Sequence, residues 1–226
     1  MAATKTPPQP LRWARSPFYF NSSAQLIRIG RQRASTLGEF AEMLQSSPDD
    51  AIFQHTLQTL RDHHYLREGF TNDFAHWVFS ACNEIGLAEQ LASVDVREFT
   101  SIKSMRSALI KTVQDYLGKN PRAKERAAFE PFYFCASDTV VIPTPFVGRN
   151  VAEFAEGMRQ ISLNSIHYHS IEARLRLKLN SNDFSLWLED ELDLGALGDR
   201  VNRIDIYTST LEDVRQRILK ILQPVL

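Results

Sequence analysis

The sequence predicts a mostly α-helical protein built from two similar halves. The tetrapeptide PFYF stands at residues 17–20 and returns 114 residues later at 131–134. Helix-start signals and apolar residues at three- and four-residue spacing recur at equivalent positions in both halves. Only the PFYF segments, which continue into β-branched residues, indicate short extended or hairpin segments. We therefore expect a duplicated helical domain with pseudo-two-fold halves and about five helices per copy.

The displacement between the two PFYF segments keeps returning matches along the chain, as a duplicated domain should. At 114 residues, Phe40 corresponds to Phe154 and IFQHTL to IHYHSI. After a four-residue deletion the offset becomes 110, and NDF followed by Trp77 corresponds to NDF followed by Trp187. We predict a flexible extension over 1–16, a first, degenerate repeat over 17–117, a charged linker over 118–130 and a second repeat over 131–226.

Each helix of the second repeat follows from a local signal. Asn150-x-x-Glu153, like Thr36-x-x-Glu39, has the pattern of a capping box, in which both side chains bond to orphan backbone N–H groups. A second helix is expected over about 164–178, and a third near Asn182. A short fourth helix and a last one capped by Thr210 follow, because apolar residues there return at helical spacing.

The charge balance points to no particular polyanion. Lys and Arg number 26 and Asp and Glu 27, so the formal net charge is −1. The residues before Glu39 include six cations and no acid, namely Lys5, Arg12, Arg15, Arg28, Arg31 and Arg33. No aromatic stacking pattern accompanies them, so we predict a solvated basic segment without specific nucleic-acid binding.

Other sequence features favour a cytoplasmic protein and exclude several classes of enzyme. Cys82 and Cys135 are far apart and form no CxxC motif, and no apolar run approaches the roughly 18 residues of a membrane span. No signal peptide is evident. The sequence has neither GxGxxG nor GxxxxGK[ST], which excludes the usual nucleotide enzymes. Neither cysteine lies in a nucleophile motif.

Three segments of the second repeat, IHYHSIEARLR, SNDFSLWL and IDIYTSTLEDVR, together with the leading FYF, resemble a prokaryotic domain family of unknown function. The resemblance covers residues 131–226. The first repeat departs from it, because Gln58 stands in place of Glu172 and Leu60 in place of Arg174. The resemblance implies a cytoplasmic protein and no particular activity or substrate.

His167, His169 and Glu172 are the one cluster of ligand-type residues in the sequence. On an α-helix, His169, Glu172 and Arg176 share a face. A metal site would need further ligands from other helices, so a structural His169 hydrogen-bonded to Glu172 is the preferred interpretation. We predict no metal and no cofactor.

The segment that begins at Asn182 also admits two interpretations. Asn182 and Asp183 near a histidine have the chemistry of an acid–base site, yet helix capping, with Trp187 in the core, explains them better. If a pocket exists, we expect it around His169, Glu172 and Arg176, with Asn182, Asp183 and Trp187 near its wall; Glu172 and Arg176 correspond to Gln58 and Asp62.

The sequence thus favours a non-catalytic module that binds a protein or a small molecule in an accessory or regulatory role. The alternative is a small metal-dependent or acid–base enzyme centred on His169 and Glu172. The sequence does not identify the ligand, the partner or the oligomeric state.

Overall fold

The computed structural model describes residues 12–58, 70, 72–95, 98–176, 181–206 and 209–226. Two antiparallel strands of 24 residues each, β1 (Trp13–Thr36) and β2 (Ala127–Asn150), form a two-stranded ribbon between two sets of helices. The prediction of a mostly α-helical fold is therefore wrong, and the protein is mixed α/β. The strands extend far beyond PFYF. Their paired residues lie between 91 and 137 positions apart, and no local periodicity encodes such distant pairing.

The helices follow the strands in the same order in both halves, residues 12–125 and 127–226. Among the described residues of the first half they are α1 (Leu37–Ser46), α2 (Asp49–Phe53), a π-helical turn (Gln54–Gln58), α3 (Asp73–Ser80), α4 (Ile85–Ala92), α5 (Ile102–Lys119) and a 3-10 turn (Pro121–Glu125). In the second half they are α6 (Val151–Gln160), α7 (Leu163–His167), a π-helical turn (Tyr168–Glu172), α8 (Ala173–Arg176), α9 (Asp183–Asp190), α10 (Gly195–Asn202), α11 (Leu211–Leu222) and a 3-10 turn (Gln223–Val225).

Several predicted helix starts are confirmed. The side chain of Asn182 accepts a hydrogen bond from the backbone of α9, and Thr210 forms a complete capping box with Asp213 at α11. Thr36 and Asn150 also cap α1 and α6 through their side chains. At both helices, however, the glutamate carboxylate accepts from the N–H of the residue before the cap, Ser35 for Glu39 and Arg149 for Glu153, so neither predicted capping box is reciprocal. The predicted helix over 164–178 is interrupted by the π-helical turn.

The predicted terminal extension and linker contain regular structure where the structure describes them. Residues 13–16 already belong to β1, and residues 1–11 lie outside the described residues. Residues 118–130 include the end of α5, the 3-10 turn and the start of β2. Among the described residues, no helix combines the length and the apolar character needed to cross a membrane.

Each strand packs against the helices of the opposite half. The ring of Phe18 in β1 lies 5.2 Å from that of Phe154 in α6 and 5.5 Å from that of Phe184 in α9, two helices of the second half. The ring of Phe132 in β2 makes the corresponding contact with Phe74 of the first half, at 5.4 Å. Both aromatic clusters are buried. The two halves therefore complete each other's cores by exchanging strands.

The tryptophans also connect each half to the strand of the other half. The indole N–H of Trp187 donates to the carbonyl oxygen of Ser16 in β1, and that of Trp77 donates to the carbonyl oxygen of Glu130 in β2, both at 2.8 Å. At the centre of the ribbon, Gln25 pairs with Thr139. These two residues are 114 apart, which is the displacement between the PFYF segments. The middle of the ribbon therefore joins equivalent positions of the two halves.

Candidate functional site

The π-helical turn places His167 beside Glu172. A π-helix brings residues five apart into register, whereas an α-helix aligns residues three and four apart. Nδ1 of His167 accordingly lies 3.1 Å from Oε1 of Glu172, and both side chains are buried. Because an ionised carboxylate oxygen only accepts, Nδ1 of His167 carries the hydrogen. The expected pairing of His169 with Glu172 is therefore wrong, since it assumed α-helical spacing.

The carboxylate of Glu172 holds both strands of the ribbon. Its Oε1 accepts hydrogen bonds from the hydroxyl of Ser23 at 2.6 Å and the amide of Gln25 at 2.8 Å, both in β1. Its Oε2 accepts from the hydroxyl of Thr139 in β2 at 3.1 Å. Gln25 and Thr139 are the central pair of the ladder. A single buried carboxylate, 5% exposed, thus ties the middle of the ribbon to the second-half helices.

The surroundings of Glu172 favour its charged form. Burial is the largest influence and by itself raises the pKa of the carboxyl group. Hydrogen bonds from His167, Ser23 and Gln25, together with the electrostatic attraction of His167, act in the opposite direction and outweigh burial, so the pKa of Glu172 lies below its ordinary value. Glu172 is therefore an anion at neutral pH, fixed by donors on three separate elements.

His169 joins β1 to the start of α9. Its Nε2 accepts the backbone N–H of Asn21 at 2.8 Å, and its Nδ1 lies 2.8 Å from Oδ2 of Asp183. A backbone N–H can only donate, so the Nε2 lone pair is occupied and Nδ1 carries the hydrogen. The first half has the same arrangement, in which His55 accepts the N–H of Cys135 at 2.9 Å. His169 thus bonds to β1 and α9 in the second half as His55 bonds to β2 and, through Asp73, to α3.

The described contacts of Asn182 and Trp187, two further predicted site residues, are made away from Glu172. The side chain of Asn182 caps α9, accepting from the N–H of Ser185 and donating to Asn202. The indole ring of Trp187 stacks on Phe154 at 4.9 Å. Arg176 ends α8, and its side chain lies outside the described residues, as do Leu60 and Asp62 entirely. The structure thus joins His169 to Asp183, whereas Glu172 faces the ribbon.

Several buried polar groups near the two π-helical turns were missed by sequence reasoning. The two turns contact each other. Gln58, at the position equivalent to Glu172, is 2% exposed, and neither atom of its side-chain amide has a hydrogen-bond partner among the described residues. The same holds for Nε2 of His167. Within the described part of the chain, no group of three or more His, Cys, Asp or Glu side chains is arranged to hold a metal.

Large apolar side chains are exposed on both faces of the ribbon centre, and together we call them the ribbon patch. It comprises Leu26, Ile27 and Ile29 of β1 and Val140, Val141 and Ile142 of β2, all exposed. Leu26 is 63% exposed and Val140 48%. Apolar clusters of this kind on a protein surface mark sites of interaction. The patch lies on the stretch of ribbon whose central pair is tied to Glu172.

These observations define a mixed α/β protein with exchanged strands and a carboxylate-anchored ribbon. The chain belongs to the family of unknown function DUF5752, whose model matches residues 15–223. It is also similar to OrfY from Thermoproteus tenax, a solved structure, with 29% sequence identity and a TM-score of 0.83. The alignment covers 96% of this chain and 99% of OrfY. No curated protein matches the chain.

Proposed function

We propose that this protein is a non-catalytic accessory module that binds another protein through the ribbon patch. The observation that carries the proposal is the exposure of six large apolar side chains on two adjacent strands. Burying apolar surface is the main favourable term in protein association, amounting to about 25 cal/mol per Å². A two-stranded ribbon also leaves backbone groups free along its edges, which favours the addition of a partner strand.

Charge near the patch indicates the chemistry of the partner. Of the six cations before Glu39, Arg15 pairs with Asp193 and Arg28 with Asp50. Arg31 and Arg33, in β1 beyond the patch, are exposed and have no ion pair among the described residues. The partner that fits is a protein with an apolar surface bordered by carboxylates, since complementary rim charges speed association and fix orientation.

The Glu172 cluster supports this function by positioning the ribbon. Its donors Gln25 and Thr139 form the central pair and Ser23 lies two residues before Gln25, so the carboxylate holds the middle of the ribbon against the second-half helices. Within this proposal the cluster is a positioning element. Cytoplasmic location and descent from a duplicated domain are part of the same proposal, the latter supported by the reciprocal contacts of His55 and His169.

The test uses a photo-crosslinking amino acid at Val140 and, as a control, at Ile85, an exposed apolar position on α4. A protein that crosslinks only from Val140 is identified, purified and titrated against the wild type and Leu26→Asp. The proposal requires saturable binding that Leu26→Asp weakens at least tenfold and that added salt weakens further. Binding that is insensitive to Leu26→Asp, or crosslinks only to a second copy of the chain, contradicts it.

A further inference from the structure

A cleft of about 520 Å³ lies in the first half, where α5 ends and the 3-10 turn begins. It is lined by none of the residues that contact Glu172. Its walls carry the cationic side chains of Lys119, Arg122 and Arg126 and one carboxylate, Glu84. The volume is that of a small-molecule site, which in proteins spans roughly 300–1,000 Å³.

The single carboxylate of the cleft is already occupied. One oxygen of Glu84 lies 3.0 Å from Nε of Arg126, and the other accepts the hydroxyl hydrogen of Tyr116 at 2.6 Å. The hydrogen bond to Glu84, with a smaller contribution from burial, raises the pKa of Tyr116 to about 12, so the phenol remains a donor. Glu84 therefore offsets one cation and fixes the position of Arg126.

The other two cations of the cleft lack an opposite charge. Lys119 and Arg122 have no ion pair among the described residues, so the cleft carries an excess of two positive charges. The three cationic residues follow one another at spacings of three and four residues. The turn itself does not require them, because the 3-10 turn at 223–225 also begins beside a proline and has no cation.

We infer that this cleft binds the phosphate groups of a small, multiply charged anion. Guanidinium groups present a planar fork that matches phosphate oxygens, and lysine adds a point charge. The ion pair with Glu84 uses Nε of Arg126 and leaves the two terminal nitrogens available. An anion with two or more charges matches the excess charge of the cleft. This site is separate from the ribbon patch.

The test is a calorimetric titration with sodium tripolyphosphate at low and physiological salt. The wild type is expected to bind one equivalent, with affinity falling as salt rises. Arg122→Gln and Lys119→Gln should each weaken binding about tenfold, the effect of one charge-assisted contact. The control is Lys103→Gln, which removes the same charge from the other end of α5, roughly 24 Å away by helical rise, and should leave binding unchanged.

Parallel titrations distinguish the possible sources of phosphate. Inorganic phosphate should bind more weakly than tripolyphosphate, and a short single-stranded DNA should not bind more tightly. Absence of saturable binding to the wild type, or an equal loss in Lys103→Gln, overturns the inference. DNA that binds more tightly and loses affinity in Arg122→Gln also overturns it, because the cleft would then recognise a nucleic-acid backbone. Thermal unfolding confirms that the exposed substitutions leave the fold intact.

Discussion

Replacing Glu172 by Gln probes the anchor of the ribbon with the least change in shape. In the variant, the amide oxygen can occupy the position of Oε1 and keep the donors Ser23, Gln25 and His167. The amide nitrogen then faces Thr139, whose hydroxyl can turn and accept. The substitution therefore preserves the number of hydrogen bonds and removes the charge.

The expected destabilisation follows from those bonds. A hydrogen bond to a charged group contributes about 1.5–3 kcal/mol and a neutral one about 0.5–1.5. Losing charge assistance in the two shortest bonds, from Ser23 and Gln25, costs about 2 kcal/mol, partly offset because a neutral amide is easier to bury. We expect Glu172→Gln to lower the free energy of unfolding by about 1–3 kcal/mol. Glu172→Ala, which removes the acceptor altogether, should cost about 3–5 kcal/mol.

Chemical denaturation of purified protein measures both values. The matched control is Glu42→Gln, an exposed carboxylate of α1, for which a change within about 0.5 kcal/mol is expected. If Glu172→Gln is as stable as this control, or more stable than the wild type, the carboxylate does not anchor the ribbon. A loss of unfolding free energy as large as that of Glu172→Ala would show that the amide cannot accept the hydrogen bonds that the carboxylate accepts.

Three further results are expected. His169→Ala and His55→Ala should each lower the free energy of unfolding by about 2–4 kcal/mol, because each removes the buried acceptor of a strand N–H. A difference of more than about 2 kcal/mol between the two variants would contradict the equivalence of the two histidines. The stability difference between the wild type and Glu172→Gln should shrink as pH falls below about 4.3, as measured by denaturation at different pH values. The pKa of Glu172 is lower in the native state than in the unfolded state, so it stabilises the native state only while the carboxyl of the unfolded chain is ionised. A difference that stays constant with pH would refute this. Gly30→Ala should destabilise the ribbon, because the added Cβ would lie 2.1 Å from the carbonyl oxygen of Phe134. Gly118→Ala, which has open space around it, should instead stabilise α5 by about 0.5–1 kcal/mol. Thermal unfolding compares the two variants, and equal effects would contradict the close approach of the strands at Gly30.

Helix starts could be predicted from the sequence because their physics is local. Asn182 and Thr210 bond to backbone groups three residues away, so a short pattern contains the whole interaction. The prediction that Trp187 lies in the core is also confirmed, since its side chain is buried.

The ribbon and the surroundings of Glu172 could not be predicted in the same way. Ser23, which donates to Glu172, is 149 residues distant, and no periodicity reports such a contact. The exposed residues of β1 and β2 also lack clean polar and apolar alternation, so the sequence pattern predicts only short strands. The π-helical turn carries no sequence signal, yet it decides that His167 and not His169 reaches Glu172.

Hydrogen exchange of the ribbon amides tests the central claim most directly. If Glu172 anchors the middle of the ribbon, Glu172→Gln should speed exchange at residues 22–27 and 137–142, while the strand ends beside Phe18 and Phe132 keep wild-type protection. The Glu42→Gln control should match the wild type throughout. Unchanged exchange at the ribbon centre, or a uniform increase across the whole chain, would contradict the claim.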